Sequence, residues 1–172
     1  MLSGETAIGD HPALVVETMN RVMLETEELL PDTPSRPPEK SVPSEKGGLP
    51  AMHPITQSVV YGAAKIAEHL SAAMVVVATK SGRTALTKSS QRDFIQTVAV
   101  SSDAAVLRRM CLYWGVTPLP GAPVTDPDEL TKFVLKWGKE DGLVASGDCV
   151  VIVAGTGIRE GAHNVVAVHT VE

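Results

Sequence analysis

The residues best suited to chemistry lie in one short run, Thr79-Lys80-Ser81-Gly82-Arg83-Thr84. Thr79, Ser81 and Thr84 offer hydroxyls, and Lys80 and Arg83 offer positive charge. Gly82 lets a ligand approach the backbone closely. The run follows a strand-like apolar stretch and opens a helical one. Free N–H groups and the helix dipole favour an anion at such a place. Two readings stand side by side here: a phosphate cradle, or a polar turn whose hydroxyls cap the helix. It is not a Walker loop, because GxxxxGK[ST] is absent.

A second candidate is Gly155-Thr156-Gly157-Ile158-Arg159-Glu160-Gly161, which also follows a strand. No helix follows it, so it fails the context that a dinucleotide fingerprint requires. It reads either as a hairpin loop or as a flap. In the second case Arg159 and the loop's N–H groups, with Gly161 at its end, close over a ligand held by the first loop. Other chemistry has little support. His11, His53, His69, His163 and His169 form no HxxxH or HxH pair, so no metal site is expected. There is no GxSxG elbow. Cys111 and Cys149 read as small core residues rather than nucleophiles. Arg108-Arg109 reads as the solvated side of its helix. No catalytic residue is assigned.

The elements that must position these residues alternate between helix and strand. Pro12 to Leu30 has helical apolar spacing, with Pro12 tolerated in the first turn. Pro31 to Pro50 is rich in proline and reads as a linker. Pro54 to Ser71 predicts a helix with Ile55, Val59, Ala63, Ile66, Ala67 and Leu70 on one side. Ala73–Ala78, Thr97–Ser101, Val116–Leu119, Cys149–Ala154 and Asn164–Val171 read as strands, the first as one buried on both faces. Ser102 is expected to cap a helix ending at Gly115, with Val106, Leu107, Met110, Cys111 and Trp114 inward. Thr125 is expected to cap another, over 125–143, with Leu130, Phe133, Val134 and Trp137 inward. Strands separated by helices imply a parallel sheet covered on both faces. Gly155 to His163 is too short for a crossover helix, so the last strand should run antiparallel. The predicted fold is an α/β three-layer α/β/α sandwich with a mostly parallel five-stranded sheet and an antiparallel last strand. Its parts are 1–30, a linker at 31–50, and the α/β domain at 51–172.

Composition agrees. The chain has 172 residues, 44% hydrophobic and 20% charged, with a formal net charge of −5. At this length about 70% of the chain's surface can be buried. The longest apolar runs fall short of the roughly 18 residues a membrane helix needs, so no membrane partner is expected. A net negative chain with few aromatic rings argues against nucleic acid. Met1 to Asp10 has no signal-peptide pattern, and two isolated cysteines suit a reducing, cytoplasmic setting.

Two blocks are specific enough to resemble a known family. MLSGETAIGDHP (Met1 to Pro12) looks like the segment at the eighth strand and following helix of the pyruvate kinase barrel. VVVATKSGRTA (Val75 to Ala85), then TVAVSSDAAVLRRMCLYWGVTPL (Thr97 to Leu119), is similar to that enzyme's C-terminal regulatory domain. GDCVVIVAG (Gly147 to Gly155) and a closing strand follow in the family's order. The resemblance implies a phosphorylated allosteric effector on Thr79 to Thr84 and a homo-oligomer formed partly by this domain. It implies that the parent enzyme transfers phosphate from phosphoenolpyruvate to ADP in glycolysis. The Mg2+ and K+ of that reaction would belong to a barrel this sequence does not contain. No cofactor is expected in the chain, and it is expected to be inactive alone. There are further departures from the family pattern. Leu86 to Gln96 lacks a tyrosine-arginine-proline stretch. Helix 125–143 has no arginine for a second phosphate. The loop GTGIREGAHN also differs, though Arg159 could substitute. These departures favour a single phosphate over a bisphosphate.

Overall fold

The computed structural model describes residues 2–28, 53–154 and 165–172. The chain divides into two compact units, Met1–Pro34 and Ser35–Glu172. In the first, α1 (Gly4–Ala7) is a single turn and α2 (Pro12–Glu27) carries Pro12 in its first turn. None of the α2 residues is buried, and Leu14, Val16, Val22, Met23 and Leu24 are exposed. The predicted linker at 31–50 lies outside the described residues.

The second unit is built on a five-stranded sheet in the order β3-β2-β1-β4-β5. The strands are β1 (Met74–Ala78), β2 (Thr97–Val100), β3 (Val116–Leu119), β4 (Cys149–Ala154) and β5 (Val165–Thr170). β1 to β4 run parallel and β5 runs antiparallel to β4, with Val76 opposite both Val98 and Ile152. This is the predicted α/β sandwich.

Alternation along the strands gives the sheet two apolar faces. Val75, Val77, Ala99, Val151 and Val153 pack with α3 (Pro54–His69), α4 (Arg83–Ser89) and α5 (Ala104–Met110). Met74, Val76, Val98, Val100, Val150 and Ile152 pack with α6 (Pro127–Glu140). The chain steps from β1 to β2 to β3 with α4 and α5 on one face. It returns past β1 to β4 with α6 on the other face. Crossovers of one hand taken in opposite directions place their helices on opposite faces.

Several local expectations are corrected. On α3 the buried face is Thr56, Val60, Ala63, Ala64 and Ala67, while Ile55, Ile66 and Leu70 are exposed. Small side chains let the helix lie close to a valine-rich sheet, and the isoleucine stripe is turned away. The cap of α5 is Asp103, not Ser102; its Oδ1 accepts from the N–H of Ala105 at 2.7 Å and of Val106 at 3.4 Å. The cap of α6 is Asp126, not Thr125, and it accepts from Asp128 and Glu129 at 2.9 and 3.1 Å. In both cases a carboxylate in extended backbone reaches two first-turn N–H groups. Helix α5 stops at Met110, before the expected Gly115. Trp114 therefore leaves the helix, stacks edge-on with Phe94 and lies under the Arg92 guanidinium.

Helix α4 has seven residues, too short to stand by propensity. Its far end is fixed by polar contacts instead. Lys88 Nζ lies 2.5 and 2.7 Å from the two Asp93 oxygens, with the lysine side chain 2% exposed. Ser89 Oγ donates to the Trp114 carbonyl at 2.7 Å. Burial pushes the Lys88 ammonium below its usual range, against the pull of Asp93. The folded state thus sheds this proton before the unfolded chain does. The cost of burying the charge is present at neutral pH and falls as pH rises toward the ordinary lysine range. Asp93→Asn is expected to cost about 3 kcal/mol at pH 7, because it strands a buried charge. That loss should shrink by pH 10. Urea denaturation at both pH values checks this; an equal loss at both would refute it.

Candidate functional site

The Thr79–Gly82 loop leaves the carboxyl end of β1, the central strand, and enters α4. The direction of strand addition reverses at β1, and the carboxyl end of such a switch point is where open α/β sheets take ligands. Thr79 prolongs the ladder by donating its N–H to the Val100 carbonyl at 2.9 Å. Its side chain is buried, and Oγ1 accepts from the Gly82 N–H at 3.1 Å. Gly82 then turns the chain with φ +78°. Glycine is needed there for conformation and for space. A Cβ would lie 3.2 Å from Val106 Cγ1, 3.4 Å from Arg109 Nη2 and 3.5 Å from Met110 Cγ.

The structure separates the six sequence-predicted residues into two roles. Thr79, Gly82 and Thr84 are buried and build the turn. Lys80 and Ser81 are exposed, and Arg83 is half-buried. One N–H expected to be free for an anion, that of Gly82, is taken by Thr79. The outward chemistry of the loop is therefore an ammonium and a hydroxyl, with Arg83 half-buried beside them. The other candidates, Arg159 and Gly161, lie outside the described residues.

Sequence reasoning missed one residue. Arg109 is not simply on the solvated side of its helix, because its Nη2 donates to the Ser81 carbonyl. The signal was present: Val106, Arg109 and Met110 share a helix face, and the first and last are buried. Arg109 sits at the edge of that stripe, where a long side chain can cross to the next loop. Cys111 is also corrected, being exposed rather than in the core, because the early end of α5 turns it outward. Cys149 is half-buried at the start of β4. Among the described residues, no group of three or more His, Cys, Asp or Glu gathers as metal ligands would. None of the described helices is long and apolar enough to cross a membrane.

These features define an open, mostly parallel α/β domain with a polar loop at its switch point. The family model for the pyruvate kinase alpha/beta domain matches residues 57–169, and the chain belongs to that family. The chain is 34% identical over 172 residues to a pyruvate kinase of Geobacillus stearothermophilus, covering 99% of this chain and 28% of that one. Against a pyruvate kinase of Lactococcus lactis it is 30% identical over 172 residues, covering 100% of this chain and 32% of the other. It thus spans under a third of the length of these relatives. A crystal structure of a pyruvate kinase from Cryptosporidium parvum shares the fold, with TM-score 0.64 and 20% identity over 72% of this chain and 24% of that one.

Gly82→Ala tests the turn. A side chain at positive φ costs about 1–2 kcal/mol. The close neighbours on α5 add to this. The expected outcome is a lower urea midpoint with an unchanged denaturant slope. An unchanged midpoint would mean that the loop adapts freely.

Proposed function

We propose that this chain is the regulatory and subunit-contact domain of a pyruvate kinase, and that it binds a phosphorylated small molecule at Thr79–Thr84. The whole enzyme would move phosphate from phosphoenolpyruvate to ADP. The observation that carries the reading is the exposed Lys80–Ser81 pair, on a loop of fixed shape at the switch point. Ser81 and Arg83 supply a hydroxyl and a cation for a phosphate, and Lys80 adds a second charge. Regulation is then linkage: a phosphate that binds one arrangement of subunits better shifts the assembly toward it.

Subunit contact has its own support in the two unlike sheet edges. On β3, Pro118 denies a neighbouring strand one N–H donor. The β5 edge has no proline, and Val168 is exposed on it. Helix α3 packs against β4 and β5 and carries exposed Ile55, Ile66 and Leu70. A second copy, related by a two-fold axis and pairing β5 with β5, would satisfy the edge and cover the apolar stripe. An oligomerisation module without a ligand is the alternative, and this edge is what favours it.

Calorimetric titration with fructose bisphosphate, glucose 6-phosphate, ribose 5-phosphate, AMP and inorganic phosphate tests the ligand. Binding is expected, and Ser81→Ala with Arg83→Ala should weaken it at least about tenfold, or roughly 1.4 kcal/mol. Equal affinity in that double variant would overturn the site. For the edge, Val168→Lys is expected to raise the dimer dissociation constant about tenfold or more in sedimentation equilibrium. A wild-type chain that stays monomeric at high concentration would overturn the contact.

A further inference from the structure

The Ser81–Gly82 peptide group is held at both ends. Its carbonyl accepts from Arg109 Nη2 on α5, and its N–H donates to Thr79 Oγ1 at 3.1 Å. These contacts come from opposite sides: Thr79 belongs to the end of β1, whereas Arg109 belongs to the helix after β2. Turning this peptide over would break both bonds. At a glycine with φ +78° such a turn meets little steric resistance from the residue itself. The two hydrogen bonds therefore favour one orientation of this peptide. They also decide which groups face outward, since Lys80 and Ser81 directly precede the pinned peptide.

From this geometry we infer that Arg109 is the positioning residue of the Thr79–Thr84 loop. It sets the loop's shape for an anion and ties that shape to α5. The inference rests on the anion reading of the loop proposed above. The chemistry suits an arginine. A guanidinium presents several donors in a rigid fork on a long stem. It can hold a carbonyl across a gap between elements while its own helix keeps Val106 and Met110 in the core. The consequence is that the loops after β1 and β2 move together. A ligand on the first is then felt by α5, whose cap Asp103 lies three residues past the end of β2.

The experiment uses the full chain and inorganic phosphate as the probe. Arg109→Ala, Arg109→Gln and Arg109→Lys are each compared with wild type and with the Ser81→Ala/Arg83→Ala variant. Three readouts are taken: phosphate affinity by calorimetry, the Gly82 amide exchange rate by NMR, and the urea midpoint. Arg109→Ala and Arg109→Gln are expected to speed Gly82 exchange at least about tenfold and to weaken phosphate binding by a similar factor. The urea midpoint should barely move, because the side chain is exposed and outside the core. Arg109→Lys should restore much of both, since an ammonium can still donate to the carbonyl. Should Arg109→Ala fold poorly, the Arg109→Gln and Arg109→Lys pair carries the test alone.

Each failure has a distinct signature. If wild type binds phosphate and Ser81→Ala/Arg83→Ala abolishes it, but the Arg109 variants bind as wild type, the positioning role is wrong and the loop reading survives. If affinity falls while Gly82 exchange stays unchanged, Arg109 touches the anion directly, and positioning is again wrong. If wild type binds no phosphate, the loop reading fails and takes this inference with it.

Discussion

The architecture depends on one constraint: β1 is apolar on both faces and must be covered on both. Met74, Val75, Val76 and Val77 are all fully buried. Alternating side chains of a single strand thus supply two separate cores, one against α3, α4 and α5 and one against α6. A sheet covered from one side would leave half of these valines in water, at about 25 cal/mol for each Å² exposed. The chain meets this demand by running outward from β1 with helices on one face and returning with a helix on the other. That return creates the reversal beside β1. The polar loop stands at the reversal because the fold has no neighbouring crossover there to bury it.

The loop inherits its definition from α4, a helix that could not hold itself. Its seven residues are fixed at one end by the Gly82 turn against α5, and at the other by the Lys88–Asp93 pair and the Ser89–Trp114 bond. A buried ion pair commonly stabilises a fold no more than an apolar pair of the same shape, and what Lys88–Asp93 adds here is a fixed geometry. A lysine whose carboxylate partner sits five positions ahead admits few arrangements of the intervening chain. Apolar contacts slide with little change in energy, whereas a buried charge without its partner does not. The pair therefore specifies how α4 ends and where the chain enters β2.

Much of this was legible in the sequence, for reasons that differ between elements. Strands buried on both faces, such as MVVVA and CVVIVA, announce themselves as short unbroken apolar runs. The short gap before the last strand forced it to turn back. What failed were choices between neighbours of similar chemistry. Ser102 and Asp103 can both cap a helix, and only backbone direction decides. On α3 the expected side joined Ala63 and Ala67, which are buried, to Ile55, Ile66 and Leu70, which are exposed, because close packing on the sheet favours small side chains. For Arg109 the place at the edge of the buried stripe was legible, but its partner was not. A helix-to-loop bond between residues 81 and 109 exists only once β1 and β2 are neighbours, so it is a property of topology rather than of spacing. The roles of Thr79 and Ser81 looked alike as hydroxyls and differ because one lies at the end of a buried strand.

The same layout gives the loop a short physical route to the β5 edge of the sheet. α4 packs on α3, and α3 lies over β4 and β5 with its isoleucine stripe exposed. A displacement of α4 would reach α3 directly, because the two helices pack together. An anion that tightened the loop would draw on α4 first. The next element to feel it would be the helix that carries Ile55, Ile66 and Leu70. If those residues meet a second copy, the coupling between ligand and assembly needs no long pathway. It needs one short helix pinned at both ends and packed on α3.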